Sequence, residues 1–374
     1  MNPFSYWEKR EIESPSELLI VGSGIVGLCS ALSYRELYPR ARIRIVERGL
    51  FPNGASTKNA GFACLGCPTE LIADLRSRPR AEVIETLAMR FKGLQRLFSW
   101  VDKDLIRYEN CGGFELFTEN DQESWIEVKE RIAELNDLYY TATNAQNALE
   151  LEPINQSFKG VIGTAQLRLE GALNPWSMVQ GLLRKTTALH IDVWNGVEVK
   201  NLSDNESGVE VETNIGTLRT DRLLLCTNGL TNALIKGLDL RPARAQVLVA
   251  RTDKPIGFKG TYHMNEGYYY FRHLDDRRVL LGGGRQLDIL GETTTDMNTT
   301  KLIQSNLEDL LKVVILPEAN FEIENRWAGI MAIGEGKRPL IGRASGRVRY
   351  AVRMGGMGVA IGAEVAHRAA RLWL

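Results

Sequence analysis

The chain has 374 residues with 46 basic and 46 acidic side chains; this length favours two domains, and zero formal charge argues against a general nucleic-acid or anionic-membrane binder, which carries a basic excess. Apolar residues make up 44% and charged residues 25%, an ordinary globular balance in which a chain this long buries a core without staples. The cysteines, Cys29, Cys64, Cys67, Cys111 and Cys226, are odd in number and two sit in apolar runs, which fits buried thiols in a reducing compartment better than a disulfide framework.

Met1 to Glu17 carries Glu8, Lys9, Arg10, Glu11 and Glu13 and no apolar run, so it does not read as a signal peptide. No apolar stretch approaches the roughly 20 residues of a membrane helix, and a cytoplasmic enzyme is expected. Leu18-Leu19-Ile20-Val21 stops at glycine and reads as a buried parallel strand. Gly22-x-Gly24-x-x-Gly27 follows, with Ile25 and Val26 inside it. Leu28 to Tyr38 then reads as a helix ending at Pro39, and Arg42 to Glu47 as a second strand. Further on, Arg80 to Val101 and Gln122 to Leu138 read as amphipathic helices. Asn195 to Thr220 alternates with period two around polar turns, a small β-meander, and Leu223 to Cys226 is again a buried strand. Ala245 to Gly284 is rich in strand formers, Thr299 to Val314 reads as a helix, and Tyr350 to Leu374 as strand, glycine turn and a helix from about Val359.

Strand, glycine turn, helix and strand within about 30 residues make a βαβ unit. The first glycine permits the tight turn, the second lets backbone approach a pyrophosphate, and the third lets helix pack on strand. The helix N-terminus offers N–H groups and partial positive charge to phosphates. Glu47, 20 residues past Gly27, stands where an acid binds ribose hydroxyls and disfavours a 2′-phosphate. The spacing predicts a dinucleotide site.

After Glu47 the chain reads Arg48-Gly49-Leu50-Phe51-Pro52-Asn53-Gly54-Ala55-Ser56-Thr57-Lys58-Asn59-Ala60-Gly61-Phe62. Here it resembles the D-amino-acid oxidase/glycine oxidase/sarcosine oxidase family of FAD enzymes, which carry a Gly-Ala-Ser-x-x-Asn-x-Gly-type loop after the ribose-binding acid. The resemblance implies that Arg48 joins the cofactor site, that Ser56 and Thr57 bond the pyrophosphate, and that Asn59, Ala60, Gly61 and Phe62 line the flavin. It continues through the meander, where Val199 would touch the adenine region and Thr227, Asn228 and Gly229 would close over the cofactor. It ends in Arg326-Trp327-Ala328-Gly329 and Gly355-Gly356-Met357-Gly358. That last turn precedes a helix whose N-terminus would stabilise anionic reduced flavin. The implied fold is α/β: a Rossmann-like FAD domain with parallel sheet and meander (1–80, 150–235 and 322–374), interleaved with an antiparallel-sheet substrate domain (81–149 and 236–321).

Cys64-x-x-Cys67 has no second pair, and the four histidines lack metal-ligand spacing. No metal is expected, and FAD is expected to be non-covalent. Tyr268–Tyr270 with Arg272 alternates across a strand, with Tyr268 and Tyr270 on one face and Tyr269 and Phe271 on the other. Tyr270 and Arg272 are the candidate substrate residues. One departure from the family stands out. Glycine and D-amino-acid oxidases clamp the substrate carboxylate with an arginine shortly after the Trp-Ala-Gly segment, whereas here Met331 follows. Arg272 or Arg353 would have to replace it, or the substrate lacks that carboxylate. The expected activity is FAD-dependent oxidation of a C–N bond of an amine or amino acid, with oxygen or a quinone accepting the electrons. The alternatives are oxidation of a C–O bond, as in 2-hydroxyacids, and a flavin-binding protein without turnover.

Overall fold

In the computed structural model, which describes residues 4–374, the chain builds two eight-stranded sheets. The first three positions of the N-terminal segment, and of the 1–80 range, lie outside the described residues.

The first sheet grows from the apolar run at the start. Ser16–Val21 pairs in parallel with Ile43–Glu47 on one side and Gly216–Leu225 on the other. Asp192–Asn195 extends one side and Val348–Val352 the other, both in parallel, and Leu340–Arg343 pairs antiparallel beyond Val348–Val352 as the edge. Both faces are covered, which is why Leu18, Leu19 and Ile20 are all buried. Helices Ile25–Leu37 and Gly358–Ala370 pack together on one face. The meander folds back from the long strand Gly216–Leu225 as Val199–Asn205 and Gly208–Thr213. The end of the meander, read to Thr220, and the strand read from Leu223 are thus one strand, which stops at Leu225. Because Ser16–Val21 has neighbours on both sides, its C-terminal end opens a crevice at the point where chain direction across the sheet reverses, the usual ligand site of such sheets.

The second sheet runs in the order Phe321–Ile333, Arg241–Thr252, Arg278–Gly283, Tyr269–His273, Thr261–Met264, Gly113–Thr118, Val161–Leu167 and Leu149–Glu152. Its outer face buries Leu248, Phe271 and Leu281 against Ile303 and Leu307 of helix Lys301–Leu310. Strands 149–167 and 321–333 belong to this sheet, so the boundaries expected at 150 and 322 fall inside it. They were placed by resemblance to cofactor segments, but the same strands carry residues toward both layers.

Two helices differ from the periodicity. Gln122 to Leu138 is split into Gln122–Glu130 and Ile132–Thr143. Arg131 leaves helical backbone at the break and pairs with Glu127 on one side and Glu134 on the other. The helix expected over 299–314 ends at Leu310 and continues as a π turn, Leu311–Ile315, which turns both Leu311 and Ile315 into the core.

Candidate flavin and substrate site

The glycine turn is built as its spacing requires. Gly22 has φ +104°, and at Gly27 a Cβ would lie 1.9 Å from the Gly22 carbonyl oxygen. A side chain at Gly27 would therefore push the helix off the strand. The helix starts at Ile25, three residues earlier than read, with Gly24 as its N-cap and no side chain capping it. At Gly24 a Cβ would sit 2.7 Å from Ser56 Oγ, so the cradle admits backbone only. The Ile25 amide donates to Ser56 Oγ at 2.9 Å. Glu47 lies beneath the turn. Its Oε2 accepts from the amide and hydroxyl of Ser23, both at 3.1 Å, and its Oε1 from the Gly49 amide at 3.0 Å. Arg48 is exposed.

The loop after Glu47 forms a short helix, Ala55–Lys58. Thr57 Oγ1 donates to the Pro52 carbonyl at 2.9 Å, and Asn59 donates to Ala55 and Ser56 carbonyls while accepting from the Gly61 amide. These two side chains shape the loop that carries Ala60, Gly61 and Phe62. Val199 enters its strand beside this end: the Val197 amide donates to the Glu47 carbonyl and that of Gly196 to the Gly49 carbonyl.

Three distant segments converge on the same crevice. Gly22 packs against the Cys226 carbonyl, leading into Thr227, Asn228 and Gly229. At Gly229 a Cβ would lie 2.6 Å from the Met331 carbonyl, and Asn228 Oδ1 accepts from the Arg353 amide at 3.2 Å. Gly355 and Gly356 are left-handed, Met357 caps helix Gly358–Ala370, and the Met331 thioether stands 3.4 Å from a Cβ built on Gly356. Gly329 faces Lys58, whose carbonyl accepts from Trp327 Nε1 at 2.9 Å. A dinucleotide fits this set: a side-chain-free turn, a helix N-terminus, an acid beneath it, and loops on either side.

The second sheet closes the crevice. Its register places Glu115, His263, Tyr270, Gly282, Val247 and Trp327 in one row. Val247, Val249, Leu280, Tyr270 and Trp327 pack with Ala60, Phe62, Cys64 and Met357, forming an apolar wall against the loop expected to line the flavin. Tyr270 and Phe271 fall on opposite faces as read, with Tyr270 meeting Phe62 at a ring-centroid distance of 5.8 Å and Phe271 stacked on Tyr262 in the outer core, while Tyr268 lies just outside the strand.

Neither proposed replacement for the carboxylate clamp is open. Arg272 directs Nη1 to the carbonyls of Gly61 and Leu173, at 3.1 and 2.9 Å, and Nε to the His273 carbonyl. It does not bind Asp275 or Asp276; Asp275 pairs with Arg278. Arg353 is buried, with Nε and Nη2 on the Arg338 carbonyl and Nη1 on Asp239. Arg272 thus ties the sheet to the flavin loop. Arg272→Lys is expected to lower stability by about 1.5–3 kcal/mol, the worth of a charge-assisted bond, and to leave the KM of a turned-over substrate within twofold. Melting temperature and KM on one mutant protein check this; a tenfold KM change with an unmoved melting temperature contradicts it.

Behind the wall lies a buried charged cluster that no sequence spacing announced. The segment after Phe62 is held by Glu170, which accepts from the Leu65 and Gly66 amides at 2.6 and 3.1 Å, and by Glu115, which accepts from the amide and hydroxyl of Thr69. Arg90 donates to the Leu65 carbonyl and to Glu70, and Tyr139 to the Gly66 carbonyl. Burial pushes Glu115 and Glu170 each up to about 7. Burial also acts on Glu70, but Arg90 and Lys337 overcome it and hold that carboxyl at about 2. Burial pushes the Cys64 and Cys67 thiols well up, away from the reactive thiolate. No group of three or more metal-ligating side chains occurs among the described residues, and no helix there is long and apolar enough to cross a membrane.

The raised acids carry a pH prediction. A carboxyl whose folded pKa exceeds its unfolded value contributes stability that is full below the unfolded value and lost as pH rises through the folded one. Glu115 and Glu170 therefore destabilise the fold as pH climbs through about 7. His263, pushed down to about 4 by burial from an ordinary 6.5, acts oppositely, losing stability as pH falls below its ordinary value. Glu70 does so at still lower pH. Between their ordinary value of 4.5 and about 7 the two raised acids together outweigh the single His263. The melting temperature is expected to fall across that window, and Glu115→Gln and Glu170→Gln to flatten the fall. An unchanged slope in the double variant contradicts it.

The DAO family, described as FAD dependent oxidoreductase, matches residues 17–372. L-2-hydroxyglutarate dehydrogenase of Escherichia coli O17:K52:H18 (strain UMN026 / ExPEC) is 26% identical over 232 residues, covering 60% of this chain and 50% of that protein. The chain thus matches about half the length of this curated relative. The fold is shared with L-proline dehydrogenase from P. horikoshii, at TM-score 0.77 and 16% identity over 96% of this chain and 94% of that one. It is shared also with glycine oxidase from Geobacillus kaustophilus, at TM-score 0.69 and 18% identity over 94% and 92%. With the family match spanning both sheets and every segment of the crevice, the chain belongs to the DAO family of FAD-dependent oxidoreductases.

Proposed function

We propose that the protein oxidises the C–N bond of an amine, or of an amino compound whose carboxylate is held away from the reacting carbon, to an imine that water hydrolyses. The bound FAD supplies the hydride acceptor, and oxygen or a quinone then takes the electrons. Gly22, Gly24 and Gly27 would hold the pyrophosphate with Ser56, Glu47 the ribose, and Ala60 to Phe62 with Gly355 to Gly358 the flavin ring. Tyr270, Trp327 and Met357 present an apolar wall that excludes water and seats the body of the substrate. The amine binds in its neutral form, so no strong base is required.

The observation that carries this reading is Met331 against Gly356, with Arg272 and Arg353 both engaged by protein groups. A carboxylate beside the reacting carbon has no bidentate arginine fork among these candidates. A second reading, oxidation of a C–O bond, is favoured by the match to L-2-hydroxyglutarate dehydrogenases. Anaerobic bleaching of the yellow protein by a panel of simple amines, D- and L-amino acids and 2-hydroxyacids separates them. Amines are expected to bleach it. Bleaching by 2-hydroxyacids alone selects the second reading, and by no compound a flavin protein without turnover. Acid precipitation of the same sample is expected to release FAD, and flavin kept in the pellet contradicts non-covalent binding.

A further inference from the structure

We propose that His263 is the residue that hydrogen-bonds the reacting nitrogen of the substrate, with Tyr270 beside it. The assignment rests on the amine-oxidation reading and adds to it a residue that positions the reacting group.

His263 lies on the short strand Thr261–Met264, across from Tyr270 in the antiparallel register, so both side chains leave the same face of the sheet. That face meets the flavin loop. The Phe62 ring contacts both, edge-on to His263 at 5.2 Å and to Tyr270 at 5.8 Å. Both ring nitrogens of His263 are buried and have no hydrogen-bond partner. The Tyr270 hydroxyl forms no hydrogen bond with the protein either, and its ring lies flat over Gly282, where a Cβ would come within 2.5 Å of it. The wall thus carries polar capacity that the fold does not use, beside the residue that ends the flavin loop.

An orphaned buried polar atom is costly, and in a native structure it calls for a reason. The neighbours of His263 supply no internal one. Glu115, beside it in the row, bonds Thr69; Glu70 bonds Arg90; Cys67, on the loop in front, lies near Thr69 Oγ1. Burial keeps the imidazole neutral, so one nitrogen accepts and the other donates. An unpartnered acceptor on the wall beside the flavin loop suits the N–H of an amine, and for the fold alone an apolar side chain would cost less there than unpaired ring nitrogens.

The test compares His263→Leu and His263→Gln with wild type, as FAD-loaded proteins, using whichever amine of the panel bleaches wild type fastest. Expected for His263→Leu is an unchanged or raised melting temperature, an unchanged FAD content, and a fall in kcat/KM of about ten- to a hundredfold, seen mainly as raised KM. His263→Gln keeps a donor and an acceptor and is expected to recover part of the loss. A kcat/KM within twofold of wild type in His263→Leu overturns the proposal. So does a large loss of melting temperature, or failure to fold, which assigns the ring to the fold. Equal losses in the Leu and Gln variants assign the effect to ring shape and likewise overturn it. Failure of the amine reading is distinct: wild type itself would not be bleached by any amine.

Discussion

Arg90→Met is expected to lower folding stability by about 3–5 kcal/mol, the usual cost of breaking a buried ion pair by removing one partner. Arg90 is 4% exposed and sits in helix Arg80–Trp100. Burial opposes its charge, but the Glu70 carboxylate outweighs that and raises its pKa. Its Nη1 also holds the Leu65 carbonyl at 2.5 Å. Methionine matches the stem but leaves Glu70 charged and partly enclosed, with Lys337 at 3.9 Å as its remaining cation. It also removes a cation that favours the charged form of Glu170, a carboxyl already pushed up by burial. The damage falls on the segment that continues the flavin loop, so FAD affinity is expected to fall with stability. Denaturant unfolding of holoprotein measures the first, and titration of apoprotein the second. Adding Glu70→Gln is expected to restore part of the stability, because the stranded charge is gone. A loss under about 1 kcal/mol in Arg90→Met, on the scale of exposed pairs, would mean that the cluster is solvated.

Glu47→Ala is expected to weaken FAD binding about ten- to a hundredfold. A hydrogen bond to a charged group contributes roughly 1.5–3 kcal/mol. An ionised carboxylate has about four acceptor sites, and Ser23 and Gly49 occupy three. The remaining capacity is what a ribose hydroxyl would use. The structure adds a second cost. Alanine leaves the Ser23 and Gly49 amides without their acceptor, so the glycine turn itself loosens. Glu47→Gln, which keeps the shape and one acceptor oxygen, is expected to fall between wild type and alanine. Equal dissociation constants for all three proteins would remove Glu47 from the cofactor site.

The cofactor half was legible because its physics is local. A glycine turn needs its glycines at fixed spacing, and Gly22, Gly24, Gly27 and Glu47 stand on one βαβ unit whose first strand runs apolar from Leu18 into the turn. The alternation of Tyr269, Tyr270 and Phe271 follows equally from strand geometry. Even His263 had a sequence signal: Asn265-Glu266-Gly267 turns the hairpin that pairs it with Tyr270.

What sequence reading missed depends on which groups meet across long separations. Arg272 stood in the sequence as a candidate clamp, and only the approach of Gly61 and Leu173, 211 and 99 residues away, shows its guanidinium engaged by backbone. Arg353 is likewise taken by Asp239, and Glu115, Glu170 and Arg90 become a buried cluster only when helix, strand and loop are stacked. Motif spacing records a conformation that a few neighbouring residues must adopt. The charge state and hydrogen-bond capacity of a side chain depend instead on solvent exclusion and on partners brought by other elements, so the sequence by itself determined the fold and the cofactor turn, and the tertiary structure decided which polar groups remain for a substrate.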